Sequence, residues 1–341
     1  MEKQPTIKDV ARLCGTSVST VSRVLNNHPD VSQCMRRQVL EMVEHIRYVP
    51  NSSARSTVKA KSEAIAVITR GIGNPFFCQI IKTIQPAINK RQYSCILHEV
   101  ASNQDEMRAA CLLAREKKPR GILFLGGRFN YTPEETSLLS MPFVCCTYTN
   151  AFGCLDASAY SSVTIDDSRT AFQAVIELCK RGHRRIAVLL NEKEDHSIGE
   201  LRYKGYRAAL ADYGIPFDPD LVECAHGFDM DKAYRATRRL LNRSGRFTAL
   251  FAISDTMGIA AMKALREAGR QVPADCSVIA IDGVEFSQYF VPTLTTLEQP
   301  SEKMAQESVR ILANLIEGKT GNQHVVMTAM LRPGGSVKPL A

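Results

Sequence analysis

A chain of 341 residues, 45% hydrophobic and 23% charged, is too long for one ordinary domain and too evenly mixed for a disordered one. No apolar run approaches a membrane span and Met1 to Lys8 carries no secretory apolar core, so a cytoplasmic protein without a membrane partner is expected. Of the net charge of +8, +5 falls in the first 61 residues, where ten basic side chains meet five acidic ones; a basic head on a nearly neutral body points to a polyanion partner.

In chain order, the first predicted helix follows Thr6, a capping residue, with Ile7, Val10, Ala11 and Cys14 on one face and Gly15 as its stop. Ser17 opens a second helix with Val18, Val21, Val24 and Leu25 as its inward stripe, closed by Asn26 and Asn27. Ser32 opens a third, with Val39, Met42, Val43 and Ile46 turned inward and Tyr48 and Pro50 beyond its end. Two short helices about a glycine turn make a helix-turn-helix. The outer face of the second carries Ser19, Thr20, Ser22, Arg23 and Asn26, side chains suited to base edges and phosphates. The helix starts near Thr6, Ser17 and Ser32 can offer N–H groups to phosphates. Periodicity alone fits a plain helical bundle equally well.

The residues themselves decide further. Thr6-Ile7-Lys8-Asp9-Val10-Ala11, Gly15, Thr20-Val21-Ser22-Arg23-Val24-Leu25-Asn26-Asn27, Val31-Ser32, Tyr48-Val49-Pro50-Asn51 and Ala54-Arg55 closely resemble the head of the lac-repressor (LacI/GalR) family of transcription regulators, spacing included. The resemblance implies that the second helix enters the major groove of an operator. It makes Val18 and Ser19 the variable specificity pair, Arg23 a base contact, and Ser22, Asn26 and Ser32 backbone contacts. Thr6, Ser17 and Tyr48 join the expected DNA-facing set.

Residues 51–58 read Asn-Ser-Ser-Ala-Arg-Ser-Thr-Val, a mediocre helix former that is marginal in isolation. In the family this hinge becomes a minor-groove helix whose leucine wedges between base pairs. Thr57 occupies the matching position, with Val58 beside it, so the wedge is smaller or shifted; a plain tether is the alternative reading.

From Ser62 the pattern alternates. Apolar runs at Ala64–Ile68, Gly121–Leu125, Phe143–Cys146, Ile186–Leu190, Leu250–Ile253 and Val278–Ile281 read as buried strands. Pro75–Lys90, Asp105–Lys117, Thr170–Arg181, Leu201–Tyr213 and Thr256–Ala268 read as crossover helices. The length calls for two doubly wound parallel sheets. The family resemblance continues through Val163–Asp167, Gly182–Ala187, Arg202 with Gly205-Tyr206, Ser254-Asp255, and Asp282 with Pro292–Thr296. It implies a periplasmic-binding-protein-like body of two lobes and three chain crossings. The expected division is 1–49 for the head, 50–61 for the hinge, 62–165 with 298–325 for one lobe, and 166–297 with 326–341 for the other. His183, in one of these motifs, reads as a loop or packing residue and not a catalyst.

Ligands in such sheets sit at the carboxyl ends of strands, where Asn74, Ser254, Asp255 and Asp282 fall. The resemblance places Asn74, Phe76, Arg202, Phe228, Ser254 and Asp282 in the cleft, with Arg202 and Asp282 holding sugar hydroxyls and Phe228 stacking on a ring face. Plainer roles stay open: Asp255 and Asp282 as helix caps, Phe76 and Phe228 as core, Arg202 as surface. Gly71-Ile72-Gly73-Asn74-Pro75-Phe76 fails as a dinucleotide fingerprint because Phe76 stands where the third glycine belongs. No phosphate loop, zinc-protease or nucleophile-elbow motif occurs, so a regulator with a small-molecule effector, no cofactor and no metal is expected, acting as a homodimer on double-stranded DNA. The eleven cysteines lack metal or disulfide spacing and read as small core hydrophobes.

Overall fold

The computed structural model describes residues 6–25, 28–46, 63–71, 73–101, 104–244 and 246–340; Asn26, Tyr48 and Thr57 of the expected DNA-facing set lie outside them. The chain divides into two units, 1–60 and 61–341.

In the first unit, α1 (Ile7–Leu13), α2 (Val18–Leu25) and α3 (Gln33–His45) enclose a small core of Val10, Ala11, Cys14, Val21, Val24 and Val39. Each start is built from side chains already visible in the sequence. At α1 the reach-back comes from Asp9, whose carboxylate accepts the Thr6 backbone N–H at 3.0 Å and the Thr6 hydroxyl at 2.7 Å. Ser17 Oγ accepts from the Thr20 amide at 3.1 Å, and Ser32 Oγ from the Met35 amide at 3.3 Å. Gly15 takes φ +61° between α1 and α2, a left-handed conformation in which a side chain would be strained.

The second unit contains two six-stranded sheets. In chain order its elements are β1 (Ala64–Arg70), α4 (Pro75–Lys90), β2 (Ser94–Val100), α5 (Glu106–Lys117), β3 (Gly121–Leu125), α6 (Pro133–Thr136), β4 (Phe143–Cys146) and β5 (Ser161–Ile165). There follow α7 (Asp167–Lys180), β6 (Ile186–Leu190), α8 (Ile198–Asp212), β7 (Val222–Cys224), α9 (Met230–Ser244), β8 (Ala249–Ala252), α10 (Asp255–Glu267), β9 (Ser277–Asp282) and β10 (Thr295–Glu298). The chain ends through α11 (Ser301–Ile316), β11 (His324–Met327) and β12 (Met330–Arg332).

The first sheet runs β11-β5-β4-β3-β1-β2, all parallel. The second runs β12-β10-β9-β8-β6-β7 and is parallel except for β12, an antiparallel edge on β10. Covered on both faces, strands β3, β4, β6 and β8 are buried at every residue, which is why they appear in sequence as unbroken apolar runs.

The chain passes between the lobes at Asp166, at Gln299–Pro300 and at Thr328–Ala329. The second and third crossings fall just beyond the boundaries drawn from sequence. Glu298 still pairs with Asp282 and Met330 in the second sheet, and Val326 and Met327 still pair with β5 in the first.

Two packing details hold the second lobe together. Gly205 lets α8 lie directly on α7: a Cβ there would stand 2.1 Å from the Ser168 carbonyl oxygen. His183 is buried, with Nδ1 bonded to the Thr248 hydroxyl at 3.0 Å and Nε2 to the Lys338 carbonyl at 3.1 Å, so it fastens the C-terminal segment to this lobe. The cysteines divide more evenly than expected. All eleven are free thiols, but Cys34, Cys78 and Cys154 are exposed and Cys95, Cys111 and Cys224 are only half-buried, because these fall on helices, a loop and the edge strands β2 and β7. Among the described residues no helix is long and apolar enough to cross a membrane and no cluster could hold a metal ion.

Candidate functional site

On the head, the side chains of α2 sort by face. Val21 and Val24 are buried, whereas Val18, Ser19 and Arg23 are exposed and Ser22 is half-buried. Val18 leaves 40% of its surface in solvent, unusual for a helix whose other valines fill the core, and it sits in the first turn beside Ser19. Ser17 and Ser32 each accept the capping amide on Oγ, so the groups they leave for a phosphate are donors, the hydroxyl O–H and the backbone N–H. Ser17 also meets the hydroxyls of Ser19 at 2.7 Å and Thr20 at 2.9 Å.

In the body, a cavity of about 550 Å³ collects the carboxyl ends of strands from both sheets. Asn74 and Phe76 reach it after β1, Tyr148 after β4, Phe228 after β7, Ser254 after β8, Asp282 from the last position of β9 and Gln299 after β10. All six residues singled out from sequence therefore line one cavity.

Their local roles are not alike. Asn74 caps α4, its Oδ1 accepting from the Phe76 amide at 3.1 Å, and Pro75 follows at the first helical position. Ser254 caps α10 through the Met257 amide at 3.4 Å. Phe76 is 2% exposed, so it is core and wall at once, while Phe228 is half-buried. Asp255, read from sequence as a cap, is not one. It is fully buried at the first position of α10, accepting the Val284 amide at 2.9 Å and the Thr296 hydroxyl, and so braces the turn after β9.

Arg202 is the centre of the polar floor. It is 2% exposed, far from the surface role its charged neighbours Lys204 and Arg207 would suggest. Its Nε donates to Asp167 Oδ1 at 2.9 Å, its Nη1 donates to the Ile253 carbonyl, and Asp282 Oδ1 lies at 3.5 Å. Asp282 also accepts from Gln299 Nε2 at 2.9 Å, which ties the second chain crossing to the floor. Its other oxygen, Oδ2, has no hydrogen-bond partner among the described residues. The backbone of Asp282 takes φ +137°, a strained value for a residue with a side chain, held by the strand before it and by Gly283 after it. Burial pushes the Asp167 carboxyl up to about 6 against the pull of Arg202. Burial likewise raises Asp282, with Arg202 and Gln299 opposing and Asp167 adding to the rise.

The first lobe contributes a wall that no sequence motif marked. Glu106 is fully buried; it accepts the Arg128 amide at 2.7 Å and the Tyr131 hydroxyl, and lies 3.5 Å from Arg70 Nε. Tyr131 in turn meets Tyr148 hydroxyl to hydroxyl at 3.0 Å. Arg70 and Tyr148 face the cavity. Arg70 is the last residue of an apolar strand, a position from which a sheet of this kind projects into its ligand crevice, and that placement was the available signal.

Comparison with known proteins agrees with both units. Residues 6–51 match the family described as bacterial regulatory proteins, lacI family, and residues 175–337 match the periplasmic binding protein-like domain. The chain is 36% identical over 327 residues to the HTH-type transcriptional regulator MalR of Clostridium butyricum, covering 95% of this chain and 97% of that one. A solved transcriptional regulator CelR–cellobiose complex is 30% identical, with a TM-score of 0.73 over 97% of this chain and 99% of its own. The lac repressor dimer bound to operator and the anti-inducer ONPF shares the fold, with a TM-score of 0.74 at 23% identity over 98% of this chain and all (100%) of its own. With a helix-turn-helix head, a two-sheet body and relatives matched from end to end, the chain belongs to the lacI family of bacterial regulatory proteins.

Proposed function

We propose that the chain is a cytoplasmic transcriptional repressor that binds a two-fold operator in double-stranded DNA as a homodimer, and whose affinity for that operator changes when a sugar fills the body cavity. The observation that carries this reading is the joining, in one chain, of an exposed Val18-Ser19-Arg23 face on a helix-turn-helix to a cavity floored by Arg202 and Asp282. In it, Arg23 reads a base edge, Val18 and Ser19 set specificity, and Thr6, Ser17, Ser22, Asn26, Ser32, Tyr48 and Thr57 complete the DNA-facing set. Asn74, Phe76, Arg202, Phe228, Ser254 and Asp282 hold the effector, with Phe228 on the sugar's C–H face. The relatives support it: one solved relative is a complex with cellobiose, and another is a dimer on its operator. Selection from random DNA should enrich a near-palindrome with half-sites about one helical turn apart or a multiple of it. Addition of sugars should then shift the affinity for that sequence. Enrichment of no common sequence would remove the reading.

The dimer needs a face. Tyr289, Phe290 and Val291 follow one another on the second lobe and are 78%, 40% and 92% exposed. Three consecutive apolar side chains held in water mark an interaction surface, and a second copy of this chain is the occupant that operator symmetry requires. Tyr289→Asp combined with Val291→Asp should give a monomer in sedimentation experiments and weaken operator binding at least a hundredfold; an unchanged dimer would move the interface elsewhere.

The raised Asp282 carboxyl gives the ligand affinity a pH dependence. A ligand hydroxyl donates to the ionised form. Protonation competes at a higher pH than for an ordinary carboxylate near 3.9, so affinity should fall as the pH is lowered from neutrality, approaching about tenfold per unit. Calorimetric titration across that range, with no loss on acidification, would take Asp282 out of the ligand's first contacts.

A further inference from the structure

Beyond the three chain crossings, the two lobes are joined by side chains beside the cavity. Phe152, in the loop after β4 of the first lobe, meets two residues of the second. The His196 ring lies with its centroid 5.1 Å from that of Phe152, and the Lys204 ammonium stands 4.6 Å from the Phe152 ring centre. Ile198 and Leu201, between those two in sequence, pack against the first-lobe core that contains Phe129, Tyr131 and Tyr148. Phe129 and Ile198 line the cavity, whereas Phe152, His196 and Lys204 do not. The contact therefore lies next to the ligand's space without being part of it.

Both sides of the contact are built to hold their shape. The Phe152 amide donates to the Phe129 carbonyl at 2.7 Å. Asn150 brackets Tyr131, its Oδ1 accepting the Tyr131 amide at 2.6 Å and its Nδ2 donating to the Tyr131 carbonyl at 3.0 Å. A Cβ on Gly153 would stand 2.3 Å from Asn150 Nδ2, so the turn that presents Phe152 needs glycine there. On the second lobe one carboxylate organises both partners. Glu200 accepts the His196 amide at 3.1 Å, lies 3.4 Å from His196 Nδ1 and pairs with Lys204 at 2.9 Å. His196 is held at φ +51°, a left-handed conformation that costs a residue with a side chain and persists where its surroundings fix it.

Lobes joined by single-chain crossings can rotate about them, and a contact made in only one arrangement biases the equilibrium. The side chains of His196 and Lys204 are 58% and 55% exposed, so water replaces the grip when it is released. A cation–π contact and a tilted ring pair at such positions are each modest, enough to favour one arrangement without locking it.

We propose that Phe152, His196 and Lys204 form an interlobe clasp that holds the cavity closed, and that its release opens the lobes and changes operator affinity. The clasp stands without the regulator reading above; only its effect on DNA rests on that reading. The test is single-molecule energy transfer on the full chain without ligand, with one dye at Lys117 on α5 and one at Arg235 on α9, both exposed. Labelled chains are diluted into unlabelled ones, so that each signal reports one chain. His196→Gly combined with Lys204→Met removes both grips from exposed positions and fits the left-handed backbone, so the fold should be kept. The population at the longer interlobe distance should rise at least threefold in this double variant and in Phe152→Ala. Phe152→Tyr, which retains the ring, should match the parent. An unchanged distance distribution in the double variant would overturn the clasp. The double variant should also change affinity for the DNA enriched from random sequence at least threefold. A shifted distance with unchanged affinity would overturn the regulatory role. Failure to enrich any sequence would remove the regulator reading, and the distances would still decide the clasp.

Discussion

Arg202→Ala is expected to abolish the sugar response and to destabilise the body by about 3–5 kcal/mol, because it leaves buried carboxylates without their cation. Asp167 and Asp282 both face the guanidinium from fully buried positions, and among the described residues neither has another cation as close. The loss should depend on pH. Asp167 already has a folded-state carboxyl pushed up to about 6, and removing Arg202 raises it further. A carboxyl raised in the folded state contributes stability below its unfolded value, and that stability is lost as pH rises through the folded value. The variant should therefore melt closest to the parent in mild acid and furthest from it in mild alkali. Equal deficits at both ends would mean that the carboxylates are not the source. Asp282→Asn separates binding from folding: it keeps the shape and the Gln299 contact but removes the charge. It should weaken sugar binding at least tenfold while operator affinity without sugar stays unchanged. Normal sugar affinity in Asp282→Asn would refute the floor as the ligand site.

Arg23→Ala should weaken operator binding by about 1–3 kcal/mol per half-site, up to some two decades of affinity for each, and relax selection at one base pair in each half. Arg23 is exposed on α2 beside buried Val24, so its loss leaves the head core intact and the fold should not change. A phosphate-only contact behaves differently: binding weakens evenly on all sequences and the salt slope falls by about one. Comparison of selected sites for parent and variant distinguishes the two. An unchanged base preference would move Arg23 from reading bases to holding the backbone.

The three helices of the head were legible because each start is a short-range device. Thr6 with Asp9, Ser17 with Thr20 and Ser32 with Met35 are bonds across three residues, set by local order alone. The central strands were legible for a related reason. A strand covered on both faces must be apolar throughout, and β3, β4 and β6 occupy the very residues marked by their composition. Strands β2, β7, β11 and β12 left no such run. β2 reads Ser-Cys-Ile-Leu-His-Glu-Val at the edge of its sheet, half in water, and β7 and β12 are three residues each.

Sequence by itself determined the helix-turn-helix, the alternation that builds two parallel sheets, and three polar residues that end on the cavity, Asn74, Ser254 and Asp282, since the carboxyl end of a buried strand is a local feature. It could not determine what those residues do to one another. Arg202 meets Asp167 across 35 residues and the Ile253 carbonyl across 51, and only the packing of α8 on α7 at Gly205 brings them together. Asp255 and Ser254 are adjacent polar residues at one helix start, equally able to cap it. Tertiary structure gave the cap to Ser254 and turned Asp255 toward Val284 and Thr296, because a carboxylate buried that deeply needs donors and β9 and β10 supply them. The Glu106 wall was hidden for the same reason. Its partners come from the end of β1 (Arg70) and from the loop after β3 (Arg128 and Tyr131), and a buried charge is recognised only when the groups that solvate it are in place.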